Sequence, residues 1–438
     1  MWKKRGRLLV LVSLFSSLGA GCAVNPVTQR TELSLMTEAQ EVRQGEEAYP
    51  LYTQMSQGLF QDAALQAYVA RVGARVAARS QRPGLPYEFN VVNDSELNAY
   101  ALPGGKISVT RGLLSRLENE AELAGVLAHE VGHVAARHAA AGYTRQVLVG
   151  VLASVGMAAL QTADSRGADL LAKGGLVAAS AVLMKYSRDQ ERQSDELGTD
   201  YMTAAGYNPE GFVQSMQALM AAHEKEPTGV ETFFMSHPLT SERVTAATQR
   251  LSRYPPELRA PERLYSDEFR RATARLRSVE PAYAKMDAGR KLLSAGKPKE
   301  ALPVLEEATR LGPDEALIWV SRAAAEIGAG RNEEGLASAR KAASLYPGLF
   351  HAQFAAGVAA FELRRHAESL DSLAAAEKIV PGQPQVAFYR GRNFETQGRR
   401  EEAARQYVRV LEGVKEGPMA EYAMGRLIQW GYVKPQQK

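Results

Sequence analysis

The stretch Glu118–Ala140, ENEAELAGVLAHEVGHVAARHAA, decides how this 438-residue chain is read. Leu123, Val126, Leu127, Val131 and Val134 recur at helical spacing. Asn119 followed by Glu122 forms a capping box at its start. The helix carries His129-Glu130-Val131-Gly132-His133, the form H-E-x-x-H. Residues four apart stand one above the other on a helix, so His129 and His133 can reach one ion through imidazole nitrogens. Zinc suits such donors, and a catalytic zinc needs a third protein ligand and an open position. Glu130 lies beside the pair, where it can take a proton from an attacking water. The pattern points to a zinc hydrolase.

The third ligand has to come from elsewhere. Arg188–Ala205 reads as a second, acidic helix, ended by Gly206 and Pro209. Glu191 on it is the expected ligand. Asp195, one turn later on the same face, is placed to accept a hydrogen bond from the far nitrogen of a ligand histidine. Glu196 competes on spacing alone, and a plain charged helix face accounts for these acids equally simply.

Working outward, residues 61–80 read as a helix, and 86–92 and 106–110 as short strands. Two apolar stretches, Val147–Leu160 and Gly174–Met184, are short for membrane spans and read as a packed helical hairpin; the alternative is a surface that dips into a membrane. Further helices are expected at 210–224 and 240–252. The proline-containing stretch Tyr254–Pro261 suggests a boundary. Beyond it, four registers step by 34 residues: Pro313, Pro347, Pro381; Gly296, Gly330, Arg364, Gly398; Ala301, Gly335, Ser369, Ala403; and Gly289, Ala323, Gly357, Gly391, Gly425. That period resembles tetratricopeptide repeats, helix pairs that stack into a solenoid with a concave surface. The expected fold is mainly α with a small β-sheet, a metallopeptidase-like domain followed by an α-solenoid.

At the other end, Lys3, Lys4, Arg5 and Arg7 precede the mostly apolar run Leu8–Phe15 and a small-residue segment ending at Cys22, the only cysteine. This order is that of a secretory signal. It resembles a bacterial lipoprotein signal, with Leu18 one place further from the cysteine than usual. Lipid on Cys22 is the expectation, and Ala23 is compatible with transfer to the outer membrane. A single cysteine excludes an intrachain disulfide scaffold. The formal charge of +4 comes from 53 basic and 49 acidic side chains, and without the four N-terminal cations the count is 49 against 49. Net charge gives no support to nucleic-acid binding. No phosphate-cradling G-x-x-x-x-G-K-[ST] loop and no G-x-S-x-G elbow occurs.

Several stretches together are similar to the M48 metallopeptidases, narrowly the periplasmic members with C-terminal tetratricopeptide repeats. They are Asn98–Ile107 (NAYALPGGKI), Gly112-Leu113-Leu114, the His129–His133 motif, Gln190–Gly198 (QERQSDELG) and Ser236-His237-Pro238-Leu239. The resemblance covers roughly residues 30–255, and the repeats extend it. It implies a zincin-like domain with His129, His133 and Glu191 as zinc ligands, Glu130 as base and Asp195 behind a histidine. Ser194 stands where the family usually has Ala. His237 is implied to approach the metal, either donating to the oxyanion or closing the open position; a satisfied polar residue near the cleft is the alternative. Arg243 holds a carboxylate or a substrate carbonyl, or forms an ordinary ion pair. Asn98 and Ala99 lead into an edge strand that an extended substrate can join.

The implied organisation is a signal at 1–21, a lipidated tether and N-terminal segment at 22–60, the peptidase domain at 61–255, a linker helix at 256–281 and repeats at 282–438. The implied activity is endopeptidase cleavage of unfolded or misassembled envelope proteins in the periplasm. The barrel assembly machinery is an expected partner of the repeats, and the outer membrane one of the lipid. A chaperone or assembly adaptor with a latent protease site is the alternative.

Overall fold

The computed structural model describes residues 21–160, 186–225 and 235–434. Residues 1–20 of the expected signal and the apolar stretch 174–184 lie outside the described residues. The described residues divide into two compact units, one within Met1–Tyr52 and Asp62–Ala274, the other comprising Thr53–Gln61 and the described part of Arg275–Lys438. No described helix is long and apolar enough to cross a membrane.

The first unit opens with a hairpin of β1 (Gly21–Val24) and β2 (Thr31–Ser34), antiparallel, with Cys22 opposite Leu33. Helices α1 (Glu38–Met55) and α2 (Ala63–Ala77) follow. Leu65, Tyr68, Val69, Val72 and Val76 are all buried on α2, the face its periodicity marks. A three-stranded sheet comes next, in the order β3 (Glu88–Val92), β5 (Lys106–Thr110), β4 (Ala99–Leu102). β3 is parallel to β5 and β4 is antiparallel to it. The strand expected at 106–110 is therefore central. The edge lies inside the NAYALPGGKI segment, a strand too short to announce itself by alternation.

After α3 (Arg111–Arg116) comes α4 (Glu120–Ala135), carrying the histidine motif. Asn119 caps it by accepting from Glu122 N at 2.9 Å, and the Glu122 carboxylate accepts in return from the Asn119 side chain, Nδ2, at 2.7 Å and from Glu118 N at 2.9 Å rather than from Asn119 N. The helix is buried along its whole length. It stops earlier than expected, at Ala136–Arg137, where Arg137 takes a left-handed φ of 58° before α5 (His138–Leu160) begins. The other described α-helices of this unit are α6 (Arg188–Ala204), α7 (Glu210–Lys225), α8 (Ser241–Arg250) and α9 (Ser266–Ala272). Helices α4 and α6 pack closely: a Cβ on Gly198 would stand 2.9 Å from His129 N.

The second unit is a series of helix pairs: α10 (Ala274–Ser294, of which Ala274 falls in the first unit) with α11 (Pro298–Leu311), α12 (Ala316–Gly328) with α13 (Asn332–Leu345), α14 (Phe350–Glu362) with α15 (His366–Ile379), and α16 (Pro384–Thr396) with α17 (Arg400–Gly413), then α18 (Pro418–Gln429). The sequence registers acquire physical meaning here. Gly289, Gly357 and Gly391 sit on first helices, where a Cβ would meet Leu305, Leu373 and Tyr407 of the second helix within 2.5–2.7 Å. Gly296, Gly330, Arg364 and Gly398 occupy the turn within each pair, at φ 72°, 79°, 60° and 73°. That left-handed conformation favours glycine, and Arg364 takes it nonetheless. Segment 53–61, of which 53–60 is expected in the tether and N-terminal segment and residue 61 in the peptidase domain, belongs to this unit: Gln54 Nε2 donates to Gly348 O at 2.9 Å, and Phe350 N donates to Gln54 Oε1 at 3.0 Å.

Candidate metal centre

One turn of α4 separates His129 from His133, and their Nε2 atoms lie 3.1 Å apart. Glu191 reaches across from α6, with Oε2 3.5 Å from His129 Nε2 and Oε1 3.4 Å from His133 Nε2. His237, just ahead of α8, adds Nδ1 at 3.3 Å from His129 Nε2 and 3.1 Å from Glu191 Oε1. The donor atoms of these four buried side chains all lie within 4.8 Å of one another, an arrangement able to hold a metal ion.

The outer nitrogens of the two motif histidines are also engaged. His129 Nδ1 is 3.0 Å from Asp195 Oδ1. Arg243 grips that aspartate with two bonds, Nε to Oδ2 at 2.7 Å and Nη2 to Oδ1 at 2.6 Å, donates Nη1 to Pro238 O at 2.9 Å, and lies 2.6 Å from Glu191 Oε2. Of the roles expected for Arg243, the geometry displays the ion pair with the chain's own carboxylates. His133 Nδ1 meets His138 Nδ1 at 2.8 Å, and Tyr186 stacks on the His133 ring at 3.8 Å between centroids. Glu196, the spacing competitor, is half-exposed and pairs with Arg253 at 2.9 Å, away from the cluster.

The electrostatics follow from burial and these partners. Burial alone raises the Glu191 carboxyl, but the neighbouring His237 charge and hydrogen bonds from His129 and His133 hold it far below the usual range. Asp195 is likewise held low because bonds from Arg243 and His129 outweigh its burial. Burial drives His133 down despite Glu191, and pushes His138 down to about 4. Glu130 is shifted the other way: burial raises its carboxyl, opposed by His237 and His129.

Glu130 is 1% exposed, and its Oε2 has no hydrogen-bond partner among the described residues. Its Oε1 lies 3.7 Å from His237 Nε2, and a backbone bond from Ala101 places β4 beside it. Asn98 and Ala99 stand outside the cluster, at the start of that edge strand: Asn98 N donates to Thr110 Oγ1 at 3.0 Å, and Ala99 is registered with Val109. An apolar recess lined by Val126, Phe212, Met216 and Leu239 borders His129 and Glu130. His138, Gln193 and Tyr186 escaped the reading of the sequence. A histidine five places after the motif was a visible signal, but only the break at Arg137 folds it back.

Residues 63–251 match Peptidase family M48, and residues 286–350 and 328–384 match Tetratricopeptide repeat. The first unit carries an M48 metallopeptidase domain. The chain is 29% identical over 224 residues to the beta-barrel assembly-enhancing protease of Yersinia pestis, covering 50% of this chain and 45% of that protein. It is 32% identical over 177 residues to the mitochondrial metalloendopeptidase OMA1 of Schizosaccharomyces pombe, covering 40% and 50%. It is 31% identical over 174 residues to the metalloprotease YcaL of Escherichia coli, covering 39% and 64%. The chain spans about half the length of the beta-barrel assembly-enhancing proteases it matches. The M48 domain is followed by tetratricopeptide repeats, and its His, His, Glu, His cluster is consistent with a metal-dependent protease active site.

Proposed function

We propose that this chain is a zinc-dependent endopeptidase acting on internal peptide bonds of unfolded or misassembled envelope proteins, held latent at rest by His237. The observation that carries the reading is the spacing of four converging donor atoms beside Glu130, whose Oε2 has no partner among the described residues. Zinc bonds of ~2.0–2.1 Å in a tetrahedron set neighbouring donors about 3.4 Å apart. The two histidine Nε2 atoms stand 3.1 Å apart, and Glu191 lies 3.5 Å from His129 through Oε2 and 3.4 Å from His133 through Oε1. The donor set therefore fits zinc, with both imidazoles offering Nε2. When bound, the metal polarises the scissile carbonyl and acidifies a water.

The residues do the rest. Glu130 takes the proton of the attacking water through its unpartnered Oε2 and hands a proton to the leaving nitrogen. Asp195, fixed by Arg243, holds His129 in the tautomer that bares Nε2. Edge strand β4, beside Glu130, offers backbone groups from Ala99 onward to an extended substrate. An unfolded segment can supply such a strand, and a folded one must first expose it. His237 Nδ1, at 3.3 Å from His129 Nε2 and 3.1 Å from Glu191 Oε1, would offer a fourth donor to a metal held there. In that position it closes the site, and swung away its Nε2 can serve the oxyanion. This placement also favours the second reading, a repeat-bearing chaperone or assembly adaptor whose protease site is opened only on demand.

The relatives that enhance beta-barrel assembly, together with the signal ending at Cys22, support a periplasmic site of action with lipid in the outer membrane. They also support barrel precursors or their assembly machinery as what the repeats engage. The test is cleavage of an unfolded outer-membrane barrel protein by the zinc-loaded chain, His237→Ala and Glu130→Gln. Weak cleavage by the parent, stronger cleavage by His237→Ala and none by Glu130→Gln establishes the reading. Zinc bound without cleavage by the parent or His237→Ala moves the assignment to the adaptor, and robust cleavage by Glu130→Gln sinks the role of the base.

A further inference from the structure

The two motif histidines are backed differently. His129 Nδ1 meets a carboxylate, whereas His133 Nδ1 meets another imidazole, His138 Nδ1, at 2.8 Å. His138 is 4% exposed, and its other nitrogen, Nε2, lies 2.9 Å from Gln193 Oε1. An amide oxygen only accepts, so His138 Nε2 carries its proton and His138 Nδ1 is a bare acceptor. His133 must then donate Nδ1–H, which leaves its Nε2 lone pair directed at His129 and Glu191. The opposite arrangement, His138 donating from Nδ1, would place the His133 proton on Nε2 and remove it as a ligand.

We propose that His138 and Gln193 form a neutral relay that fixes the tautomer and ring orientation of His133, making His138 a positioning residue for the metal centre. This rests on the zinc reading given above. The chain is built to hold the relay. The left-handed Arg137 ends α4 and starts α5, bringing His138 back onto His133. A non-glycine residue in that region needs its surroundings to hold it. Arg137 is held by Nε donating to Glu41 Oε1 at 2.6 Å and Nη2 donating to Met36 O at 2.7 Å. Gln193 comes from α6, two residues beyond Glu191, so one helix supplies both a metal donor and the end of the relay. Tyr186, stacked on His133, limits tilting of the ring from the other side.

The test is zinc affinity of the full chain, measured by competition with a chelating dye and independent of any cleavage. Loss of a partner behind a metal-bound histidine weakens binding about 10–100-fold. His138→Phe is expected to lose affinity in that range. His138→Asn, whose Oδ1 sits near the position of Nδ1 and can accept from His133, is expected to stay within about threefold of the parent. Gln193→Leu is expected to fall between them. A His138→Phe affinity within threefold of the parent overturns the relay, and so does a His138→Asn as weak as His138→Phe. If His138→Phe does not fold, the order of parent, His138→Asn and Gln193→Leu decides: Gln193→Leu equal to the parent overturns the proposal. A parent chain that binds no zinc overturns the metal reading itself, a separate result from a bound zinc indifferent to His138.

Discussion

The cluster at the heart of the M48 domain and the repeat unit bury acids to opposite ends. In the repeats each buried acid is neutralised by partners within its own unit. Glu326 accepts from Arg322 at 2.8 Å and from Ser338 at 2.6 Å, and Glu315 accepts from Arg275 and Tyr283, both at 2.6 Å. These acids tie helices together and leave nothing over. In the M48 domain Glu191, His129, His133 and His237 converge on one point, and Glu130 keeps an oxygen with no partner among the described residues. Burying polar groups unsatisfied is costly. At Glu130 that cost falls beside four converging donors, where a bare carboxylate oxygen has a chemical use.

The sharpest way to break this comparison is to remove one donor from each unit. His129→Ala is expected to lose stoichiometric zinc, an affinity drop of about a thousandfold or more. Unchanged zinc stoichiometry by elemental analysis refutes the ligand assignment. Glu326→Ala, which removes the carboxylate partner of Arg322 and Ser338, is expected to lower the unfolding free energy by about 3 kcal/mol with zinc content unchanged. Chemical denaturation checks it, and a loss of zinc would erase the distinction between the two kinds of buried acid.

Smaller effects sharpen the picture. His237→Ala is expected to raise cleavage of an unfolded barrel protein about tenfold, a barrier change of about 1.4 kcal/mol. A fall instead would make His237 a catalytic group rather than a closing one. Asp195→Asn is expected to weaken zinc about tenfold by loosening His129, read in the same dye competition. In the repeats, Arg364→Gly relieves the left-handed turn at φ 60° and is expected to stabilise the chain by about 1 kcal/mol. No change in the denaturation midpoint would mean that this turn is not strained.

The repeats were legible because each helix pair repeats the same local problem. A small residue is needed where two helices touch and a left-handed residue where the chain turns, so both recur every 34 positions. The motif helix was legible because helical periodicity is local, and with it the pairing of His129 and His133. Glu191 and Asp195 were readable as one face of a second helix, and Glu196 fell away only when Arg253 was found holding it at the surface.

What the sequence by itself determined was therefore everything carried by short-range spacing: the helices, the repeat period, and the residue types able to hold a metal. Spacing carried neither the edge strand Ala99–Leu102 nor the approach of His237 to within 3.3 Å of His129, both of which only the resemblance implied, and tertiary structure alone decided the turn of Arg243 onto Asp195 and the fold-back that sets His138 behind His133. Each of these depends on segments far apart in the chain, or on a single left-handed residue that interrupts a helical pattern. Spacing encodes which residues share a face of one element. It does not encode which faces meet, because packing of whole elements sets those distances.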